Sequence, residues 1–165
     1  MNESSREEFL ARFDLGPSID LNSVVSFDID IEDAKTLIGF CVLGGIFSEG
    51  IDLKNDSLIG AIIVGTGLPQ VCFERELLKD FFDKRGENGF DYSYRYPGMN
   101  KVLQAAGRVI RTSDDVGVIA LLDERFLQGS YTRLFPREWE GYSVVNVENV
   151  DKKVAEFWDE LEQKI

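Results

Sequence analysis

Three short apolar runs constrain this chain more than any other feature: LIGFCVL at 37–43, IGAIIVGTGLP at 59–69 and GVIALLD at 117–123. A continuous apolar run of this length predicts a strand buried on both faces, the pattern of a parallel sheet covered by helices. Helical patterns fill the intervals. ERELLKDFFDKR, 74–85, turns Leu77, Leu78, Phe81 and Phe82 inward, and NKVLQAAGRVIRT follows Pro97 and Gly98 as a second helix. The stretch between them, NGFDYSYRYPG, is rich in Gly and Tyr and predicts a loop. ERFLQGSYTRLFPREW predicts short helical turns, YSVVNV a final edge strand, and DKKVAEFWDELEQKI, 151–165, an amphipathic helix through Val154, Phe157, Trp158 and Leu161. Ahead of the first run, SREEFLARF, 5–13, predicts a short helix on Phe9, Leu10 and Phe13. Residues 23–35 alternate weakly around Phe27, Ile29 and Ile31 and fit a strand or an acidic loop. Strands alternating with helices give an α/β class with a largely parallel sheet, whose ligands gather at the carboxyl ends of the strands. At 165 residues the chain suits one domain with a full-sized core.

Charge and residue counts remove several functions. The net charge of −12 argues against holding nucleic acid by bulk electrostatics, so any such contact needs a small local patch. Histidine is absent, which removes Ser-His-Asp and Cys-His triads and HExxH metal sites. Cys41 and Cys72 stand in apolar surroundings with no paired spacing; they predict buried thiols, no zinc site, and a reducing cytoplasm. No apolar run reaches the roughly 18 residues of a spanning helix, so no membrane partner is expected. MNESSREEF carries no secretory signal.

Two segments carry chemistry. In QAAGRVIRT, 104–112, Gln104, Arg108 and Arg111 fall at i, i+4 and i+7 and share one face of a helix, beside Ala105 and Gly107. Val102, Leu103, Ala106, Val109 and Ile110 are left to bury. Guanidinium is the side chain best shaped to grip phosphate oxygens, through a planar fork of permanent charge. An ordinary solvated face with two arginines has the same spacing. In GGIFSEGIDL, 44–53, Gly44, Gly45 and Gly50 allow close backbone approach, Ser48 offers a hydroxyl, and Glu49 and Asp52 offer carboxylates. A strand-to-helix turn capped by Asp52 is the ordinary alternative. The Gly65-Thr66-Gly67 step lacks the third glycine of a dinucleotide fingerprint, and no GxxxxGK[ST] loop exists. Arginines suited to phosphate without a loop to cradle a triphosphate suggest half of a site.

QAAGRVIR resembles motif VI, and GGIFSEGIDL resembles motif V, of the second RecA-like domain of superfamily 2 helicases, in the XPD/DinG-like branch. The order matches as well: motif V, a strand ending in an LP loop, a helix, a Tyr-rich segment, motif VI, then a strand ending LLDERF, from about residue 36 to 140 of a single domain spanning 1–165. The resemblance implies a RecA-like, P-loop NTPase-type fold, truncated at its N-terminus, from an ATP-dependent DNA helicase of repair or replication type. It implies Arg111 as an arginine finger at the γ-phosphate and Arg108 as a second phosphate or interdomain contact. Gln104, Gly107, Asp52, Glu49 and Gly50 are then nucleotide-binding, and Ser48 and Gly45 touch the DNA backbone. ATP and Mg²⁺ are the implied cofactors, single-stranded DNA and a missing N-terminal helicase domain the implied partners. The Walker motifs and Mg²⁺ ligands would belong to that domain, so this chain alone is expected to be inactive. Two other classes stay open: a stand-alone RecA-like binding or regulatory module, and an α/β enzyme using Glu49, Asp52 and Arg108 on a small phosphorylated substrate.

Overall fold

A computed structural model of the chain describes residues 37–45, 58–112 and 115–163. It divides into two compact units, Met1–Leu122 and Asp123–Ile165. The helix expected over 5–13 and the segment 23–35 lie outside the described residues.

In the first unit, strands β1 (Gly60–Val64) and β2 (Val118–Leu122) pair in parallel, from Gly60 opposite Val118 to Val64 opposite Leu122. This is the parallel α/β arrangement the sequence predicts, but its faces differ from expectation. Ile63 is buried while Ile62 and Val64 are 72% and 74% exposed, so β1 packs one face only among the described residues. The run LIGFCVL forms no strand; Leu37 through Val42 are exposed, with Phe40 at 85%. The two described strands pair only with each other. Cys41 shares its exposure, and Cys72 is exposed at the start of the next helix, so neither is the buried thiol expected.

Helix α1 (Phe73–Lys84) carries Glu74 and Glu76 in its first turn and Lys84 in its last, both favourable to the helix dipole. Gly86, at φ +79°, turns the chain out of it. Leu77, Leu78 and Phe81, expected to face inward, are exposed, whereas Phe82 stacks on Tyr92 at 4.1 Å and 11°.

The predicted Tyr-rich loop is helical. Asn88 starts it by accepting the Asp91 N–H on its side-chain oxygen at 3.2 Å, a helix N-cap. Helix continues from 89, passes through a π-helical turn at Asp91–Arg95, and becomes α2 (Tyr96–Ala106) without a break. Pro97 explains the π turn. In an α-helix Pro97 would owe a hydrogen bond to the Ser93 carbonyl and would press its ring against it. The wider register, seen in the Tyr96 N–H donating to the Asp91 carbonyl, relieves that contact. The Ser93 carbonyl instead accepts from the Arg75 guanidinium of α1 at 2.7 Å. Tyr94 donates to the Glu76 carboxylate and Arg95 pairs with the buried Asp91, so α1 grips three consecutive residues of the turn through Tyr92, Ser93 and Tyr94.

In the second unit, Asp123 caps a 3₁₀ turn (Glu124–Leu127), accepting from the Arg125 backbone at 2.9 Å and pairing with its guanidinium at 2.6 Å. Helix α3 (Gly129–Thr132) and a second 3₁₀ turn (Arg137–Trp139) follow, as the sequence predicts. Phe126 and Tyr131 are buried, and Phe135 meets Trp139 and Tyr142 edge-on at 5.3 and 5.6 Å. YSVVNV is not a strand. Asn146 and Asn149 bond across a turn, with the Asn146 N–H reaching Asn149 Oδ1 at 2.8 Å, and this turn leads into α4 (Val150–Glu162). Val154, Trp158 and Leu161 are half-buried on α4; Phe157 is exposed. No described helix is long and apolar enough to cross a membrane.

Candidate functional site

Helix α2 runs along the sheet from one end of the strands to the other. Its first turn packs backbone to backbone on the loop after β1. A Cβ on Gly98 would stand 2.7 Å from the Thr66 carbonyl oxygen, and one on Gly67 2.7 Å from the Gly98 carbonyl oxygen. Gly67 also lies beside Leu43, and Gly44, at φ +77°, lies beside Lys101, where a Cβ would be 3.0 Å from Lys101 Cδ. The opening of GGIFSEGIDL, the Gly65-Thr66-Gly67 loop and the start of α2 therefore meet at the carboxyl ends of the strands. Gly45 belongs to that edge; its N–H closes a turn on the Val42 carbonyl at 2.9 Å. Ser48, Glu49, Gly50 and Asp52 lie outside the described residues.

The other end of α2 reaches the amino ends of the strands. Met99, Val102 and Ala106 are buried along it, and Val109 is buried against Gly117 just ahead of β2. Gly117 in turn approaches the Ile59 carbonyl, to which Val118 donates at 3.0 Å. The α-helix stops at Ala106. Gly107 is an exposed C-cap with helical φ, and the Arg108 and Val109 N–H groups close tight turns on Ala105 and Ala106 at 3.2 and 3.0 Å. Gln104, Arg108 and Arg111 consequently do not share one helical face, because their spacing makes a face only if the helix continues past Ala106 to Arg111. Gln104 is exposed on α2, while Arg108 and Arg111 are half-buried in the turn and in the extended segment after it; Ile110, expected to bury, is 40% exposed.

Asp115 organises that segment. Its Oδ2 accepts the Arg111 N–H at 2.9 Å and the Thr112 N–H at 2.7 Å, and these two bonds, with the Arg111 charge nearby, hold its carboxyl below the usual carboxylate range. Motif spacing does not single out Asp115. The signal available in the sequence is an acidic residue shortly after a helix end, where exposed backbone N–H groups seek an acceptor. The arginines thus sit at the amino edge and the glycine turn at the carboxyl edge. α2 keeps these two places apart.

Guanidinium and amide groups are donor types suited to polyphosphate oxygens. The helicase C-terminal domain family matches residues 1–142. The chain is 36% identical over 89 residues to the ATP-dependent DNA helicase DinG of Photobacterium profundum, covering 53% of this chain and 13% of that protein. It is 35% identical over 102 residues to the ATP-dependent DNA helicase chl-1 of Caenorhabditis elegans, covering 61% and 12%. It is 27% identical over 136 residues to the probable ATP-dependent helicase MJ0942 of Methanocaldococcus jannaschii, covering 74% and 21%. The chain therefore spans about a fifth or less of the length of these relatives.

Proposed function

The chain belongs to the helicase C-terminal domain family, among the XPD/DinG-like helicases, and from that membership we propose that it supplies half of an interdomain ATP site in an ATP-dependent DNA helicase. The observation that supports this reading is the turn after α2, which puts Arg108 and Arg111, both half-buried, at the amino ends of the strands, with Asp115 accepting from the Arg111 backbone. Arg111 is the arginine finger in this reading, and Arg108 a second phosphate or interdomain contact. Gln104 and the exposed backbone at Gly107 border the nucleotide. Asp52, Glu49 and Gly50 are nucleotide-binding in this reading, and Gly45 and Ser48 contact the DNA backbone.

ATP supplies the phosphoryl group and Mg²⁺ screens its charge, with the Mg²⁺ ligands on the partner helicase domain. What this chain adds is positive charge fixed where negative charge develops, which lowers the barrier only if the guanidiniums are held in place beforehand. The Asp115 clasp and the buried Val102–Ala106–Val109 seam provide that rigidity. Without the partner domain the chain has no triphosphate loop and is not expected to turn over ATP. The parent acts in the cytoplasm on single-stranded DNA.

The test uses the full-length helicase that contains this chain. Arg111→Ala should lower DNA-stimulated ATP turnover by roughly 10³–10⁵-fold, the range measured for arginine fingers, with single-stranded-DNA binding retained. Unchanged turnover would return both arginines to a solvated turn.

A further inference from the structure

Lys101 stands out among the described cations. Lys79 pairs with Asp83, and Lys152 and Lys153 pair with Glu156. Lys101 is half-buried and has no carboxylate partner among the described residues, in a chain with 30 acidic residues against 18 basic ones. Its aliphatic stem lies against the Gly44 backbone, with Cδ, Cε and Nζ at 3.0, 3.1 and 3.4 Å from where a Cβ would be. A side chain on Gly44 would crowd it, so the glycine leaves room for the lysine. An ammonium with no carboxylate partner among the described residues, set beside a bare glycine turn, is available to an anion brought from outside.

The surroundings suit a phosphate. Gly44, Gly45, Gly65 and Gly67 keep the backbone bare of side chains around this edge, three of them at positive φ. The Thr66 hydroxyl, on a residue 1% exposed in the same loop, has no hydrogen-bond partner. From Lys101 to Ala106, where α2 ends, the helix rises about 7.5 Å at 1.5 Å per residue toward the arginine turn. We infer that Lys101 is a phosphate contact for a single-stranded nucleic-acid backbone crossing the carboxyl edge of the sheet beside the Gly44–Gly45 turn. This inference rests on the helicase reading and adds a residue from the motif VI helix to the strand-binding edge. The helix that ends at the arginine turn thereby touches both ligands.

Salt dependence is the deciding measurement, because breaking one phosphate interaction on a single strand flattens the plot of log affinity against log salt by about 0.7. The full-length helicase is titrated onto fluorescent oligo-dT across a salt series, as wild type, Lys101→Gln, Lys101→Arg and Arg111→Ala. Lys101→Gln should weaken binding several-fold at low salt and reduce the slope by about 0.7, while Lys101→Arg keeps the slope and Arg111→Ala leaves it unchanged. A merely structural lysine would lower affinity, if at all, at constant slope. Equal slopes for Lys101→Gln and wild type overturn the inference and leave the helicase reading standing. A wild-type protein that does not bind oligo-dT overturns the nucleic-acid reading itself. A flattened slope for Arg111→Ala together with an unchanged one for Lys101→Gln would place the strand at the arginine edge and refute both assignments.

Discussion

Gly98→Ala sets two opposing effects against each other, and the structure fixes the sign. Position 98 is in the first turn of α2, where alanine is a better helix former than glycine by at most about 1 kcal/mol. Propensity alone therefore predicts a more stable protein. The new Cβ, however, would stand 2.7 Å from the Thr66 carbonyl oxygen and 3.1 Å from both the Gly67 carbonyl carbon and the Leu68 nitrogen. All three are backbone atoms, so no rotamer change relieves the clash and α2 must move off the loop after β1. Overpacking of this kind costs roughly 1–3 kcal/mol, and rigid neighbours argue for the upper end. The net result should be a loss of about 2 kcal/mol. With a urea m-value of about 2 kcal/mol/M, the midpoint should fall by about 1 M, read by far-UV circular dichroism on the purified chain at unchanged m. An unchanged or higher midpoint would mean that α2 is not seated on the loop, and would remove the geometric basis for placing the glycine turn beside Lys101.

Two further outcomes follow from the hydrogen-bonded carboxylates. The Asp115 carboxyl is held below its ordinary range by the Thr112 and Arg111 N–H groups. Its contribution is thus present above the ordinary carboxylate pKa and is lost as pH falls through the lower folded value. The amide proton shifts of Arg111 and Thr112 should titrate together in that acid window and stop doing so in Asp115→Ala; independent titration would dissolve the clasp. Tyr94 is pushed up to about 12, first by its bond to Glu76 and then by burial. A group raised in the folded state stabilises below its unfolded pKa of about 10 and loses that contribution as pH climbs toward the folded value. Ultraviolet titration should show one tyrosine ionising last in the native chain, and Tyr94→Phe should remove that late step.

Much of the fold is legible in the sequence because it depends on local pattern. β1, β2, α1, α2 and α4 fall where apolar runs and helical periodicity put them, and the parallel pairing follows from alternating strands and helices. Facing is less legible. An apolar run announces that it can be buried, yet Leu77, Phe81, Ile62 and Phe40 are exposed among the described residues, since burial also needs an element on the other side. The segment YSVVNV has strand-forming residues but no described neighbour to pair with, and two asparagines take it into a turn.

The two departures around α2 share one physical cause, which is that the backbone hydrogen-bond register is not written in periodicity. Pro97 signals a helix start and the Tyr/Gly run before it a loop, so pattern alone starts the helix after Gly98. Helix persists through Pro97 because a π turn shifts the Ser93 carbonyl away from the proline ring and hands it to Arg75, a residue far away in sequence. At the other end the same helix stops at Ala106, and the i, i+4, i+7 spacing of Gln104, Arg108 and Arg111 no longer describes a face. The residue types, two arginines and a glutamine, are ones that suit phosphate in either backbone. Their placement is not readable from them, because it depends on where α2 begins and ends. The start of α2 is held by α1 and by the loop after β1, and Asp115 holds the segment that follows its end. An arginine motif of this kind can therefore keep its sequence and change its backbone placement when a residue such as Arg75 or Asp115 changes.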